Sequence, residues 1–209
     1  MKTGDILLVH TNSTMGKIIQ KFQMRKDKDA GYYNHSGIIY VGKHRTWVAE
    51  ASQVKGRKIK AAVVFTPLDE YTRRYECECG WGGVPGGFNV GIDLKCKKCG
   101  SLNVVKSKRY ELLILQQKEN AWVNPGVIEE KMFPLMGIPY DYRNLLFQQI
   151  RRLVTGIWVG RGKEKGWKRM VCHEFTQYLW NELWQIFPDY NKGSVSKIYR
   201  SPYFVHKKM

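Results

Sequence analysis

The chain has 209 residues, 43% of them hydrophobic and 13% aromatic, enough apolar surface for one buried core with an insertion, and this excludes a disordered polymer. Its 35 Lys and Arg against 18 Asp and Glu give a formal charge of +17, which asks for a negative partner or environment: nucleic acid, an anionic membrane face or an acidic polymer. No run approaches the ~18 unbroken apolar residues of a membrane helix, and MKTGDILLVHTNST is too poor in apolar length for a signal peptide, so a cytoplasmic or virion-associated location is expected.

In chain order, GDILLVH predicts a short strand, and the polar TNST after it predicts the cap of a helix from about Met15, with Met15, Ile18, Ile19 and Phe22 on one face. HSGIIYV and TWVAEA read as strands joined by GKHR, and KIKAAVVF as a third β-branched run. Beyond PLDEYTRRY the composition changes: CECGWGGVPGGFNVGIDLKCKKCG is rich in glycine and holds four of the five cysteines. The strand pattern resumes at RYELLILQ, as if residues 76–104 were inserted between two strands of one sheet. Helices are expected over 124–136, over PYDYRNLLFQQIRRLV and over VCHEFTQYLWNELWQIF, where Cys172, Phe175, Leu179, Leu183 and Ile186 share one face.

The cysteines divide into two kinds. Cys77/Cys79 and Cys96/Cys99 form two tight pairs, each followed by a glycine that lets backbone amides face sulfur, and four such thiolates suit the closed tetrahedron of a structural Zn2+. The first pair has one spacer residue where zinc ribbons usually have two, and two disulfides or four free thiols are the alternatives. Zinc would fold a lobe too small for a core of its own.

Cys172 is left over. A buried structural thiol is its plainest reading, but at a helix N-terminus unpaired amides and the helix dipole favour the thiolate. A nucleophile needs a base, and of the histidines at 10, 35, 44, 173 and 206 only His35 acquires a partner by strand arithmetic. With Gly42-Lys43 as a two-residue turn, Ile39 faces Thr46, Gly37 faces Val48 and His35 faces Glu50. A carboxylate there would orient the imidazole, whereas a slip of one residue would carry Glu50 to the other face. His173 is set about 100° round the helix from Cys172 and is expected to diverge from it. His10 and His206 are expected at the surface.

GDILLVH, KIIQKF, YNHSGIIYVG, WVAEAS, PYDYRNLL and VCHEF, in that order, resemble the circularly permuted NlpC/P60 (papain-like) cysteine hydrolases of the YiiX/YebB-like branch. The resemblance implies an α+β permuted papain-like fold, an antiparallel sheet packed against helices, over 1–75 and 105–209, with a zinc-ribbon-like lobe inserted at 76–104. It implies Cys172 as nucleophile, His35 as general base and acid, Glu50 as its orienter, and Tyr33 as a substrate or oxyanion contact, with packing an equal alternative for Tyr33. Two departures are His173, where the family often has serine, and the inserted lobe. The implied reaction is amidase or peptidase chemistry on an acyl substrate: a peptide, a cell-wall amide or a lipid ester. A nucleic-acid-binding or scaffold protein built on the basic zinc lobe, and a lipid acyltransferase or esterase, are the alternatives.

Overall fold

The computed structural model describes residues 1–11, 14–24, 28, 30–52, 62–72, 74–80, 82–83, 88–90, 94–96, 98–107, 110–119, 122–141, 145, 147, 169–188 and 194–208. It is an α+β protein whose main sheet is antiparallel and packs against helices. The sheet has six strands in the order β11, β10, β1, β2, β3, β4, where β1 is Ile6–His10, β2 His35–Val41, β3 Thr46–Ser52, β4 Ala62–Pro67, β10 Glu111–Gln117 and β11 Phe204–Lys208. The helices are α1 (Thr14–Met24), α2 (Asp69–Thr72), α3 (Pro125–Met132), α4 (Cys172–Trp184) and α5 (Val195–Tyr199). The helix expected over PYDYRNLLFQQIRRLV lies largely outside the described residues, and no helix among those described is long and apolar enough to cross a membrane.

The unbroken apolar run of β1 makes sense from its place in the sheet: all five residues are buried, because both faces are covered. Ile6 and Leu8 join Ile38, Ala49, Phe175, Leu179 and Trp180 in the larger core, under α3, α4 and α5. Leu7 and Val9 join Ile39, Val48, Leu68 and Ile114 on the opposite face, where Tyr71 and Tyr110 pack. The buried Asp5 carboxylate ties the start of β1 to its surroundings, accepting the Lys2 N–H at 2.7 Å and the Gln117 N–H at 3.1 Å.

The β2–β3 hairpin corrects the expected register. Ile39 pairs with Val48 and Val41 with Thr46, two residues away from the pairing that a Gly42-Lys43 turn would give. The reversal is closed instead by Gly42 N–H donating to Arg45 O at 3.0 Å, which leaves Lys43-His44 as the turn. Because side-chain direction repeats every two residues, this slip keeps His35 and Glu50 on one face and makes them diagonal neighbours.

Helix α4 also differs from the single apolar stripe read in its sequence. Every residue from Cys172 to Trp180 is buried, the polar Thr176 and Gln177 included, so its first half is enclosed on all sides. It ends at Trp184, with Gln185 left-handed at φ 54° and its N–H bonded to Asn181 O at 2.8 Å, short of the expected end at Phe187.

Between β4 and β10 the chain builds a separate pair of small sheets. β5 (Arg74–Cys77) pairs with β6 (Gly82–Gly83) and β9 (Val104–Ser107), and β7 (Phe88–Val90) pairs with β8 (Leu94–Cys96). Arg74 faces Ser107 and Cys77 faces Val104, so the β5–β9 ladder carries the chain out of the main sheet and back.

Candidate functional site

His35 opens β2, and its neighbour Ser36 faces α4, where its hydroxyl lies 3.1 Å from that of Thr176. Strand alternation therefore turns His35 toward the opposite face, the one that carries Glu50 of β3. His35 Nε2 hydrogen-bonds Glu50 Oε2. The contact depends on Gly37: a Cβ there would stand 2.5 Å from Val48 Cγ1 and 3.1 Å from Glu50 Cβ, so any side chain would compete with Glu50 for its place. Glu50 is buried at 1% exposure, and its Oε2 also accepts the Tyr71 hydroxyl at 2.5 Å, with Thr66 a further hydrogen-bond partner. Burial alone would raise this carboxyl, but His35, Thr66 and Tyr71 outweigh it and hold Glu50 below the ordinary carboxylate range.

Cys172 is the first residue of α4, 2% exposed, and its thiol meets the His35 ring. His35 begins its strand and Cys172 begins its helix, so the two come together at the end of the sheet. Nε2 is committed to Glu50, which leaves Nδ1 to face sulfur. Burial opposes a thiolate at Cys172, yet the His35 charge and hydrogen bonds from His173 and His35 bring its pKa down to about 5. Burial likewise opposes the imidazolium, and Glu50 and then Cys172 carry His35 up to about 10. Between those values the pair is thiolate and imidazolium. The helix start adds its own support: Glu174 accepts the Val171 N–H at 3.1 Å, half of a capping box whose other half Val171 has no acceptor to make.

Two expectations about histidines change. His173 does not diverge from Cys172 but hydrogen-bonds it, because a helical wheel separates Cβ directions and not the tips of long side chains. His10 is buried, its Nδ1 2.9 Å from Tyr32 O and its ring stacked on Tyr32 at 4.2 Å. His206 is exposed, with Nε2 2.8 Å from Tyr199 O. Tyr33 is buried in a row of rings, 5.4 Å from Tyr32 and 5.9 Å from Tyr199. Tyr71, Thr66 and Thr176 were not singled out from the sequence, where each looks like an ordinary polar residue of a strand, a helix or their flanks.

The second constellation is sulfur. Cys77, Cys79, Cys96 and Cys99 bring their Sγ atoms within 4.8 Å of one another, with Cys77 and Cys99 at 3.4 Å and Cys79 and Cys96 at 3.9 Å. None is disulfide-bonded. Four sulfurs about 2.3 Å from one ion stand about 3.8 Å apart, so the set fits a tetrahedral metal site. Gly80 and Gly100, at φ 75° and 76°, close the two turns by donating to Cys77 O and Cys96 O, both at 2.9 Å. The amides of Cys99 and Lys98 point at Cys96 sulfur. Glu78 in the first turn accepts from Ser101 Oγ at 2.7 Å and Asn103 Nδ2 at 3.0 Å, clasping one turn to the segment that leads from the other into β9. These four cysteines could hold a metal ion.

The molecule is thus an α+β protein with a sheet-end Cys-His-Glu cluster and a four-cysteine metal-type centre. Solved structures of similar fold include the crystal structure of metalloprotein YiiX from Escherichia coli O157:H7, a DUF1105 protein, with 13% sequence identity, a TM-score of 0.55, and coverage of 100% of this chain and 97% of that one. No protein-family model matches the chain, and neither does any curated protein.

Proposed function

We propose that the chain is a cysteine hydrolase, an amidase or peptidase of the permuted NlpC/P60 type, with Cys172 as nucleophile, His35 as general acid and base, and Glu50 as the group that orients and charges His35. The observation that carries this reading is the Cys172 thiol at a helix N-terminus against an imidazole whose far nitrogen is held by a buried carboxylate. The YiiX-like fold agrees with the branch that the sequence motifs resemble.

In the proposed reaction, thiolate Sγ adds to the carbonyl carbon of an amide and the carbonyl π pair moves to oxygen, where the Cys172 backbone N–H at the open start of α4 helps hold it. As the tetrahedral species collapses, the C–N bond breaks and His35 passes its proton to the departing amine, leaving a thioester. His35, now neutral, takes a proton from water as the hydroxyl adds to the thioester. The C–S bond then breaks to return thiolate, imidazolium and a carboxylic acid. Tyr33 is proposed as a substrate or oxyanion contact, with packing the equal alternative. The four-cysteine centre is proposed to hold one Zn2+ in a structural role, giving the small sheets of β5–β9 the rigidity that the few apolar contacts among their described residues do not supply. The +17 charge favours an acyl group presented on an anionic polymer or membrane face.

A cysteine-directed activity probe tests the reading. Labelling of Cys172 at near-neutral pH, abolished in His35→Ala, is expected. If Cys172 reacts only as an ordinary thiol, in proportion to ionisation near pH 8.5, the hydrolase reading fails.

A further inference from the structure

Tyr71 belongs to α2, a single turn that stands between the main sheet and the four-cysteine lobe. So short a helix does not hold itself together in water, and its pose is set by what its two ends attach to. The leading end is fixed to the main sheet: buried Leu68 donates its N–H to Thr46 O at 3.0 Å, and Arg45 Nη2 donates to Asp69 Oδ2 at 3.4 Å. The trailing end runs into the lobe. α2 stops at Thr72, β5 starts at Arg74, and about 10 Å along that strand comes Cys77, one of the four clustered cysteines.

The lobe's return path comes back to the same side chain. β9 pairs with β5 as far as Ser107 opposite Arg74, and Tyr110, just ahead of β10, packs its ring on Tyr71 with centroids 5.8 Å apart and planes at 52°. Both rings lie against the smaller core of Leu7, Ile39, Leu68 and Ile114. The segments that enter and leave the lobe thus meet at the ring whose hydroxyl donates to Glu50 Oε2, the oxygen that also accepts from His35. The titratable groups facing that hydroxyl are Glu50, Tyr110 and Glu70. Burial and then the Glu50 carboxylate push the phenol well above its ordinary range, so it stays a donor across the pH range in which the cluster works.

We infer that Tyr71 is a positioning residue through which the four-cysteine lobe governs Glu50. With the four sulfurs joined on one ion, the β5–β9 stalk holds the Tyr71 hydroxyl on the carboxylate; with the lobe loosened, that donor is withdrawn. The stabilising effect of the metal stays with the lobe, and what crosses the stalk is the place of one ring. The consequence for catalysis, a less firmly oriented His35, rests on the hydrolase reading. The linkage between lobe and carboxylate does not.

The test is carboxyl carbon-13 NMR of the full-length, glutamate-labelled protein, with the Glu50 signal assigned by its loss in Glu50→Gln; it needs no substrate. Tyr71→Phe, which removes one hydroxyl and keeps the ring, should raise the Glu50 pKa by about one to two pH units, the scale of a lost hydrogen bond to a charged group. Cys96→Ser should raise it too, by no more than that, while the β1 amides stay protected from exchange. In the Tyr71→Phe background Cys96→Ser should raise it no further, because the donor that the lobe controls is already gone. If Cys96→Ser costs β1 its protection, the wild-type protein supplies the same comparison: stripping Zn2+ with a chelator and restoring it should move Glu50 up and back. A Glu50 titration that ignores Tyr71→Phe, that ignores both Cys96→Ser and metal removal, or that moves as far on loss of the lobe without the Tyr71 hydroxyl as with it would overturn the inference. The expected Glu50 shifts in a protein whose Cys172 reacts only as an ordinary thiol would support the linkage and sink the hydrolase reading alone.

Discussion

Replacing Glu50 with glutamine removes one negative charge while keeping an oxygen to accept from His35 Nε2 and Tyr71 Oη. The loss is that of a hydrogen bond to a charged group in a buried site, about 1.5 to 3 kcal/mol, which corresponds to one to two pH units in the ionisation of His35. His35 stands at about 10 in the wild-type protein, so Glu50→Gln should bring it to roughly 8 to 9. The sign follows from which form loses its partner: glutamine destabilises the imidazolium and leaves the neutral ring nearly untouched. Cys172 should respond differently. Its thiolate is held at about 5 first of all by the His35 charge, and His35 remains protonated at that pH with or without Glu50. The acid limb of Cys172 alkylation should therefore stay near pH 5 in Glu50→Gln and move up to the ordinary thiol range or beyond in His35→Ala, where burial acts unopposed by that charge. Carbon-13 NMR of histidine-labelled protein, with the His35 signal assigned by its loss in His35→Ala, reads the first quantity. Peptide mass spectrometry after timed iodoacetamide treatment reads the second, separating Cys172 from the four other cysteines. A His35 titration unchanged by Glu50→Gln, or an acid limb that moves with it, would refute this division of labour.

Gly37→Ala is expected to act on the same cluster by crowding. Its Cβ would stand 2.5 Å from Val48 Cγ1, 3.0 Å from Ala49 O and 3.1 Å from Glu50 Cβ, so a loss of about 1 to 3 kcal/mol in denaturant unfolding should accompany loss of probe labelling at Cys172. Full labelling in a stable Gly37→Ala protein would show that Glu50 does not need that space. Elemental analysis of the purified protein is expected to return one zinc per chain, falling to near zero in Cys96→Ser. Chelation should speed hydrogen exchange in β5 and β9 and leave β1 and β2 protected, and equal loss of protection in both sheets would count against a metal role confined to the small lobe.

What the sequence disclosed, and what it withheld, follows from the range of the forces involved. The β1, β2 and β3 strands were legible because alternation and β-branched runs are local signals, and the apolar run ILLV marks a strand covered on both faces. The hairpin register was off by two because GKHR can be closed at Gly42-Lys43 or at Lys43-His44, and only the packed sheet selects between them. β11 has no strand signal of its own: four of its five residues are exposed, and its strand character comes from pairing with β10. Tyr71 was passed over because nothing in DEYT announces that its hydroxyl will reach a carboxylate on β3. In α4, Thr176 and Gln177 lie off the apolar stripe of Cys172, Phe175 and Leu179, yet their Oγ1 and Nε2 donate to Cys172 O and Ser194 O and both are buried with the rest.

The same distinction explains why the cysteine's chemical state could be guessed only in part. A helix N-terminus and a nearby histidine were enough to suggest a thiolate, but in the folded protein burial is the largest single influence on Cys172, His35 and Glu50, and it opposes the charged form of each. Each charged form is favoured by its neighbours: Cys172 by His35, His35 by Glu50 and Cys172, and Glu50 by His35, with Tyr71 and Thr66 donating to Glu50 without carrying charge themselves. Such a series is cooperative, so the effects of removing its members should not add: once His35 is gone, Glu50 has no imidazolium to stabilise and Cys172 has lost its largest source of acidity. The ion pair therefore belongs to the folded sheet end as a unit, and no one of the segments YNHSG, WVAEA and MVCHE contains enough of it to be read in isolation.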